Sequence, residues 1–344
     1  MSNCTFLTRH GTPRAVAAAR DFSDPKDRGM AYECSLCGLC AAVCPEGLDP
    51  CALFLEVRRH DVASGTFDAR PYRSILNYET LGRSRLFSRY ELPEGCDTVF
   101  FPGCALPGTR PTVTSRLYRQ LRQHVPSLGI VLTCCAKPSH DLGRTVHFRT
   151  AFERVLARFA AGGVKTVLTA CPNCTRMFRQ YGRGLSVLTV YEILNRHGVT
   201  ETVAPGGGEI SVHDPCPLRD HPEAHSAVRG LLTDLGYTQV EMPHRKKTTL
   251  CCGEGGAVGC IQPRNSRGWA ELRRQESEGR PLVTYCAGCV HFLGQVTPTV
   301  HILDLIFRAN GTPDKDFPVS KGPLTYLNRL LLKLRLMAMS VSGE

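Results

Sequence analysis

The sequence predicts an α/β protein: two tandem homologous domains with small, mostly parallel sheets, preceded by a small helical domain. Three observations carry this. From about residue 96 onward, short apolar runs alternate with amphipathic stretches of helical spacing, the pattern of βαβ units around a parallel sheet. The cysteines then recur in order: Cys104 corresponds to Cys216, Cys134-Cys135 to Cys251-Cys252, and Cys171/Cys174 to Cys286/Cys289, at offsets of 112, 117 and 115 residues. Finally, 344 residues with 42% hydrophobic composition are enough for two or three domains with their own cores.

Taken in order, residues 1–95 are Arg-rich and helical in pattern, with a cysteine cluster near their centre. Asp97–Phe101, Ile130–Leu132 and Thr166–Thr169 read as strands, with helices between them at Thr112–Val125 and His147–Ala161; Phe152, Val155, Leu156 and Phe159 mark one helical face. Pro205-Gly-Gly-Gly208 reads as a linker. A strand at Glu209–Val212 then restarts the scheme. The surroundings of the cysteines repeat too: Val167-Leu-Thr-Ala-Cys171 parallels Leu282-Val-Thr-Tyr-Cys286, and Val190–Leu194 parallels His301–Leu305. Two long units are too few for a solenoid. The expected divisions are 1–95, 96–208, 209–311 and a tail at 312–344.

Of the totals, only the 18 cysteines are unusual. The first twenty residues have no apolar run with a cleavage site, and no stretch approaches ~20 consecutive apolar residues. A cytoplasmic protein is therefore expected, in which so much cysteine serves metals or redox chemistry and not disulfides. The net charge of +11 comes mostly from scattered arginines, with Lys246-Lys247 the sole lysine pair. A solvated basic surface accounts for this as well as docking to an acidic partner does. No basic stripe with interleaved aromatics and no nucleic-acid motif is present, so nucleic acid is not an expected partner.

The N-terminal run is Cys34-x2-Cys37-x2-Cys40-x3-Cys44-Pro45, the bacterial ferredoxin spacing for a cubane [4Fe–4S] cluster. In two-cluster ferredoxins the fourth cysteine serves the other cluster, yet no second run exists here. Cys44 is the favoured fourth ligand, and Cys4, Cys51 and Cys96 are alternatives. Each later copy presents a first cysteine on a Pro-containing turn (Pro102-Gly-Cys104, Asp214-Pro-Cys216), a second strand ending in adjacent cysteines, and a third ending in Cys-x-x-Cys before a helix. Carboxyl ends of parallel strands form crevices, so five thiols per copy gather at one sheet edge, where helix N-termini favour thiolates. Gly253, Gly255 and Gly256 suit a backbone passing close to a cofactor, with N–H groups free to point at sulfide. Zinc prefers four ligands in a tetrahedron, vicinal cysteines bridge only with strain, and Val290 separates Cys289 from His291 where a c-type haem needs Cys-x-x-Cys-His. Val258 stands where the third glycine of a dinucleotide fingerprint belongs.

Cys-x29-Cys-Cys-x35-Cys-x2-Cys followed by Cys-x34-Cys-Cys-x33-Cys-x2-Cys resembles the paired CCG domain of heterodisulfide reductases and related iron–sulfur oxidoreductases, across roughly residues 96 to 310. Similar domains occur in iron–sulfur subunits of anaerobic glycerol-3-phosphate dehydrogenase, glycolate oxidase and lactate-utilisation complexes. The chain departs from the pattern at Ala136, where glycine is usual, and in having one ferredoxin run. The resemblance implies that Cys104, Cys134, Cys135, Cys171 and Cys174 hold one CCG-type [4Fe–4S] cluster, cubane or noncubane, and that Cys216, Cys251, Cys252, Cys286 and Cys289 hold another. It implies two-electron reduction of a disulfide, with the ferredoxin-type cluster feeding electrons in. The competing expectation is a relay subunit between a dehydrogenase and quinone.

Among other residues, His213 is a proton-donor candidate or a turn-bonding structural histidine. Lys137 and Arg219 either offset cluster charge or lie on the surface, and Cys260 reads as a buried thiol outside the motif. Leu324–Met339 reads as a basic amphipathic helix, with Leu327, Leu330, Leu331, Leu334 and Met337 on one face and Arg329 and Lys333 on another. Docking on a partner is the first expectation and lying on a membrane the second, with packing on the protein's own core a further alternative. The partners expected are a redox protein or a membrane cytochrome or quinone-reducing subunit, with a small disulfide or thiol as substrate, in a hetero-oligomer.

Overall fold

The structure, a computed structural model, describes residues 3–200, 207–307 and 319–342. Pro205 and Gly206 of the expected linker, and the expected division at 311/312, lie outside the described residues. Strands β1 (Arg89–Glu91), β2 (Thr98–Phe101), β3 (Gly129–Leu132), β4 (Thr166–Thr169) and β5 (Ser186–Thr189) form one sheet in the order β1-β3-β2-β4-β5. Strands β6 (Glu209–His213), β7 (Thr238–Gln239), β8 (Leu282–Thr284) and β9 (Thr299–His301) form a second in the order β7-β6-β8-β9. Every pair is parallel except β1 with β3. Without β1 the two orders coincide strand for strand, which is what the repeat of cysteines requires.

Side chains alternate across the first sheet as a pleated strand demands. Phe100, Ile130 and Leu168 face a core covered by the helices Pro111–His124 and Val190–His197. Val99, Phe101, Val131 and Val167 face another, filled by Phe152 and Phe159 of the helix Thr145–Ala161 and by Phe178 of the helix Pro172–Tyr181. The first of these cores continues into the second repeat, taking in Ile210, Val212 and Val283 together with Val228 and Leu231 of the helix Pro222–Asp234. The two sheets therefore share one apolar interior. The N-terminal segment packs on the second repeat, where Phe6, Phe54 and Val57 meet Val258 and Trp269.

Arg58, on the helix Pro50–Ala63, fastens these parts. Its side chain is fully buried, and it donates to the carbonyls of Ala31 (2.9 Å), Cys34 (2.6 Å), Asp141 (2.7 Å) and Gly256 (3.0 Å). One guanidinium thus joins the N-terminal segment to both repeats through four backbone carbonyls.

The elements depart from the sequence reading in several places. Residues 1–95 are not wholly helical, because Arg89–Glu91 adds an antiparallel edge to the first sheet; Arg89 and Glu91 bond on one strand face (2.8 Å), a polar pairing that apolar periodicity does not register. In the second copy, residues 240–250 separate β7 from Cys251, so the paired cysteines do not follow directly from a strand. The helices after β5 and β9 are capped by Thr189 and His301, which shifts their correspondence by one residue. Arg329, expected on a face apart from the leucines, is buried: it donates to Gly82 O (2.9 Å) and lies 5.2 Å from the Tyr78 ring centre. The helix Leu324–Ser342 buries Leu332 and Leu336 in the shared core and leaves Leu327, Leu331, Leu334 and Met337 exposed. It carries two apolar stripes, and the wider one faces outward.

Candidate metal centre

The first site is assembled by three parallel strands. β2 leads through Gly103 to Cys104, β3 leads to Cys134-Cys135, and β4 leads to Cys171, the N-cap of the helix Pro172–Tyr181, with Cys174 in its first turn. The Sγ atoms of Cys104 and Cys134 are 4.0 Å apart, and those of Cys135 and Cys174 are 3.5 Å apart. Cys174 also interacts with Cys171, so the five thiols form one chain of contacts. Gly103, at φ +81°, permits this, because a Cβ there would lie 2.9 Å from Cys171 Cβ and 3.2 Å from Cys174 Sγ.

The second site repeats the same chain of contacts. Cys216 meets Cys251, which adjoins Cys252, which meets Cys289, which meets Cys286. Its frame is Asp214, fully buried, which accepts from Arg229 (3.0 Å to each oxygen), from the Tyr285 hydroxyl (2.9 Å) and from Lys246 N (2.7 Å). Burial works against its charge, but Arg229, His225 and Lys246 N together hold the carboxyl below its usual range. His213, just before it, is buried with neither ring nitrogen hydrogen-bonded, so it does not bond a turn. One of its nitrogens lies within 4.8 Å of the Cys252 and Cys289 sulfurs. Burial pushes this imidazole down to about 3, keeping it neutral.

Both sites open onto one cavity of about 280 Å³, bordered by Cys104, Cys134, Cys135, Cys171 and Cys174 from the first, and by Cys216, Cys252, Cys286 and Cys289 from the second. Tyr191 ties the two walls together, its hydroxyl within 3.2 Å of Ala170 O and 3.1 Å of Tyr285 O, the residues preceding Cys171 and Cys286. Lys137 and Glu254 occupy equivalent positions after the paired cysteines and face the same space. Lys137 is therefore not a surface residue; it pairs with Asp141. The Glu254 carboxyl, raised by burial, lies 3.9 Å from Cys286 Sγ, and Gly288 leaves room for it. Cys260 also borders the cavity and is half-buried. Arg219 lies away from it and is buried, donating to Cys37 O (3.1 Å) and Thr249 O (2.9 Å).

The N-terminal thiols gather beside the second site. Cys4, Cys34, Cys37, Cys40 and Cys51 border an apolar pocket with Cys251. Cys44 instead borders an open cleft, its sulfur accepting from Leu48 N at 3.4 Å. Cys96 belongs to neither group; it packs in the core of the first sheet and donates to Thr98 O (3.2 Å). The glycines after Cys252 answer to protein backbone. A Cβ on Gly253 (φ +102°) would meet Ser266 O at 2.4 Å, and Cβ atoms on Gly255 and Gly256 would meet Ser35 O at 2.3 Å and Cys34 O at 2.4 Å. Gly255 and Gly256 thus seat the ferredoxin-type run against the second site while also lining the cavity. Ala136, equivalent to Gly253, holds φ +57° despite its Cβ.

The donor set fits iron–sulfur clusters. The hydrogen bond with Cys134, with burial second, holds the Cys104 thiol well above its ordinary range, and bonds to Cys252 and Cys286 do the same for Cys289. Five crowded, buried thiols become thiolates together only where bound cationic metal offsets their charge. Residues 1–49 match the family described as a 4Fe-4S dicluster domain, and residues 98–179 and 210–294 each match the cysteine-rich CCG domain. The chain is 29% identical, over 67% of its length and 50% of the relative's, to one of the subunits of the fumarate reductase (CoM/CoB) of Methanothermobacter marburgensis. It is 27% identical to one of the subunits of the dihydromethanophenazine:CoB–CoM heterodisulfide reductase of Methanosarcina barkeri, over 67% of the chain and 64% of the relative. It is 24% identical to EtfAB:quinone oxidoreductase of Syntrophomonas wolfei, over 70% of the chain and 39% of the relative. The chain thus spans less than two thirds of each of these relatives.

Proposed function

We propose disulfide chemistry for this chain, which belongs to the cysteine-rich CCG-domain family and is an iron–sulfur protein of the [4Fe–4S] type. In this reading it is the iron–sulfur subunit of an oxidoreductase that reduces a small disulfide to two thiols, taking up two electrons and two protons. Cys104, Cys134, Cys135, Cys171 and Cys174 hold one cluster, and Cys216, Cys251, Cys252, Cys286 and Cys289 hold the other. Cys34, Cys37 and Cys40, with a fourth thiol, hold a ferredoxin-type cluster. Bound in these cages, [4Fe–4S] clusters supply one-electron centres, and a pair of them matches the two-electron demand of one S–S bond.

One observation carries the proposal: thiols of both quintets border a single cavity of about 280 Å³, so clusters held by the two quintets would face one another across it. Leu36, Ile75 and Phe292 line it with apolar surface and exclude water. The Lys137–Asp141 pair and the Glu254 carboxyl give it fixed polar groups for orienting a substrate. Cys37 and Cys251 border one pocket, which supports electron entry from the N-terminal site through the second repeat. A donor protein in a hetero-oligomer supplies the electrons. Among the described residues, no helix is long and apolar enough to cross a membrane.

The likeness to an EtfAB:quinone oxidoreductase favours a second reading, a relay from a dehydrogenase to quinone with no substrate of its own. Anaerobic purification with iron and sulfide analysis, followed by EPR before and after thiol addition, separates the two. Disulfide chemistry predicts about twelve irons per chain and a paramagnetic signal that appears with thiol. A full iron complement with a spectrum indifferent to thiols and disulfides would leave the relay.

A further inference from the structure

We infer that Cys51, and not Cys44, supplies the fourth thiol of the N-terminal iron–sulfur site. The inference rests on the reading that Cys34, Cys37 and Cys40 hold a cluster there. Cys44 stands in the position that serves the other cluster in two-run ferredoxins, and this chain has one run. Its sulfur accepts from Leu48 N in its own turn, and it lines the open cleft, which Cys37 and Cys51 also reach, but not the pocket where Cys34, Cys37, Cys40 and Cys51 meet.

Cys51 is placed differently. Asp49 caps the helix Pro50–Ala63, its carboxylate accepting from Cys51 N (2.9 Å) and Ala52 N (3.1 Å), which fixes the first turn. From that turn the buried Cys51 sulfur reaches to 3.9 Å from Cys40 Sγ and also interacts with Cys34. Gly38 N donates to Cys51 Sγ at 3.2 Å from a left-handed backbone (φ +78°) that suits glycine. Leu36 N likewise approaches Cys34 Sγ at 3.5 Å. Backbone N–H groups thus already address the sulfurs of Cys34 and Cys51, as they do around anionic cluster ligands. Cys4 borders the same pocket, but it is half-buried on the N-cap of a six-residue helix and interacts with Cys40 and Cys251 through charge alone, with no hydrogen bond to either sulfur.

The test compares full-length C51A, C44A and C4A proteins, purified anaerobically, by iron content and by low-temperature EPR of the oxidised and reduced forms. C51A is expected to lose about one iron per chain and to show a three-iron signal when oxidised, whereas C44A and C4A keep the wild-type iron content and spectrum. If C51A sheds the whole cluster, C51S decides: an oxygen ligand there retains the irons and changes the spectrum and potential of this cluster alone. A three-iron signal in C44A or C4A, with C51A spectroscopically wild-type, would overturn the inference. A wild-type protein without any ferredoxin-type signal would remove the site itself, and this assignment with it.

Discussion

His213 is a buried side chain set beside the cysteines proposed to hold the second cluster. It carries no hydrogen bond, stays neutral, and lies within 4.8 Å of two thiols of the second site. A neutral N–H directed at an anionic centre stabilises its reduced, more negative state. His213→Leu is therefore expected to shift the second-site midpoint potential to more negative values without loss of iron, as read by an EPR redox titration. An unchanged potential would make the residue mere packing. Gly103→Ala forces a Cβ against Cys171 and strains a left-handed backbone by about 1–2 kcal/mol; iron is expected to fall at the first site, with a lower Tm, while the second keeps its signal. The grouping of the cysteines was legible in the sequence because they recur at fixed spacing. The roles of Gly103, Glu254 and Tyr191 were not, since each depends on what a distant strand brings opposite it. Gly253, Gly255 and Gly256 carried a real signal of close approach, and the protein groups that approach them are Ser266, Ser35 and Cys34.

At the scale of elements, the strands that bear cysteines were readable. β2, β4, β6 and β8 are short apolar runs buried in their sheets, the pattern that parallel strands require. β1 and β7 were not readable, being three and two residues long with polar sequences; they are strands only because a neighbour supplies the ladder. The joint made by Arg58 was equally hidden, since an arginine on an amphipathic helix reads as solvated. Arg58→Met removes a donor from four carbonyls, of which Ala31 O keeps Cys34 N (3.2 Å), and a loss of about 3 kcal/mol or more is expected from denaturant unfolding. The N-terminal segment should also become the first site of limited proteolysis. A midpoint within about 0.5 kcal/mol of wild type would show that the carbonyls find other partners.

For the whole molecule, the repeat predicts two equivalent halves, and the structure adds that they share one core and flank one cavity. That union was not legible, because both halves contribute apolar faces that separate domains would also possess. The tail helix completes the shared core. Leu332→Ala is expected to cost about 2–5 kcal/mol as a buried truncation, whereas Leu331→Ala, on the exposed stripe, should remain within about 0.5 kcal/mol. Equal effects would mean that the helix does not dock through the Leu332 and Leu336 side.

Two independent thiol cages facing one cavity are the centre of the account, and iron counting in matched variants tests them most directly. Cys135→Ala and Cys252→Ala each remove one buried thiol from one quintet. Each variant is predicted to lose up to about a third of the roughly twelve irons per chain while the EPR signals of the untouched sites persist. Wild-type protein holding only about four irons, or both variants retaining the full complement and spectrum, would contradict it.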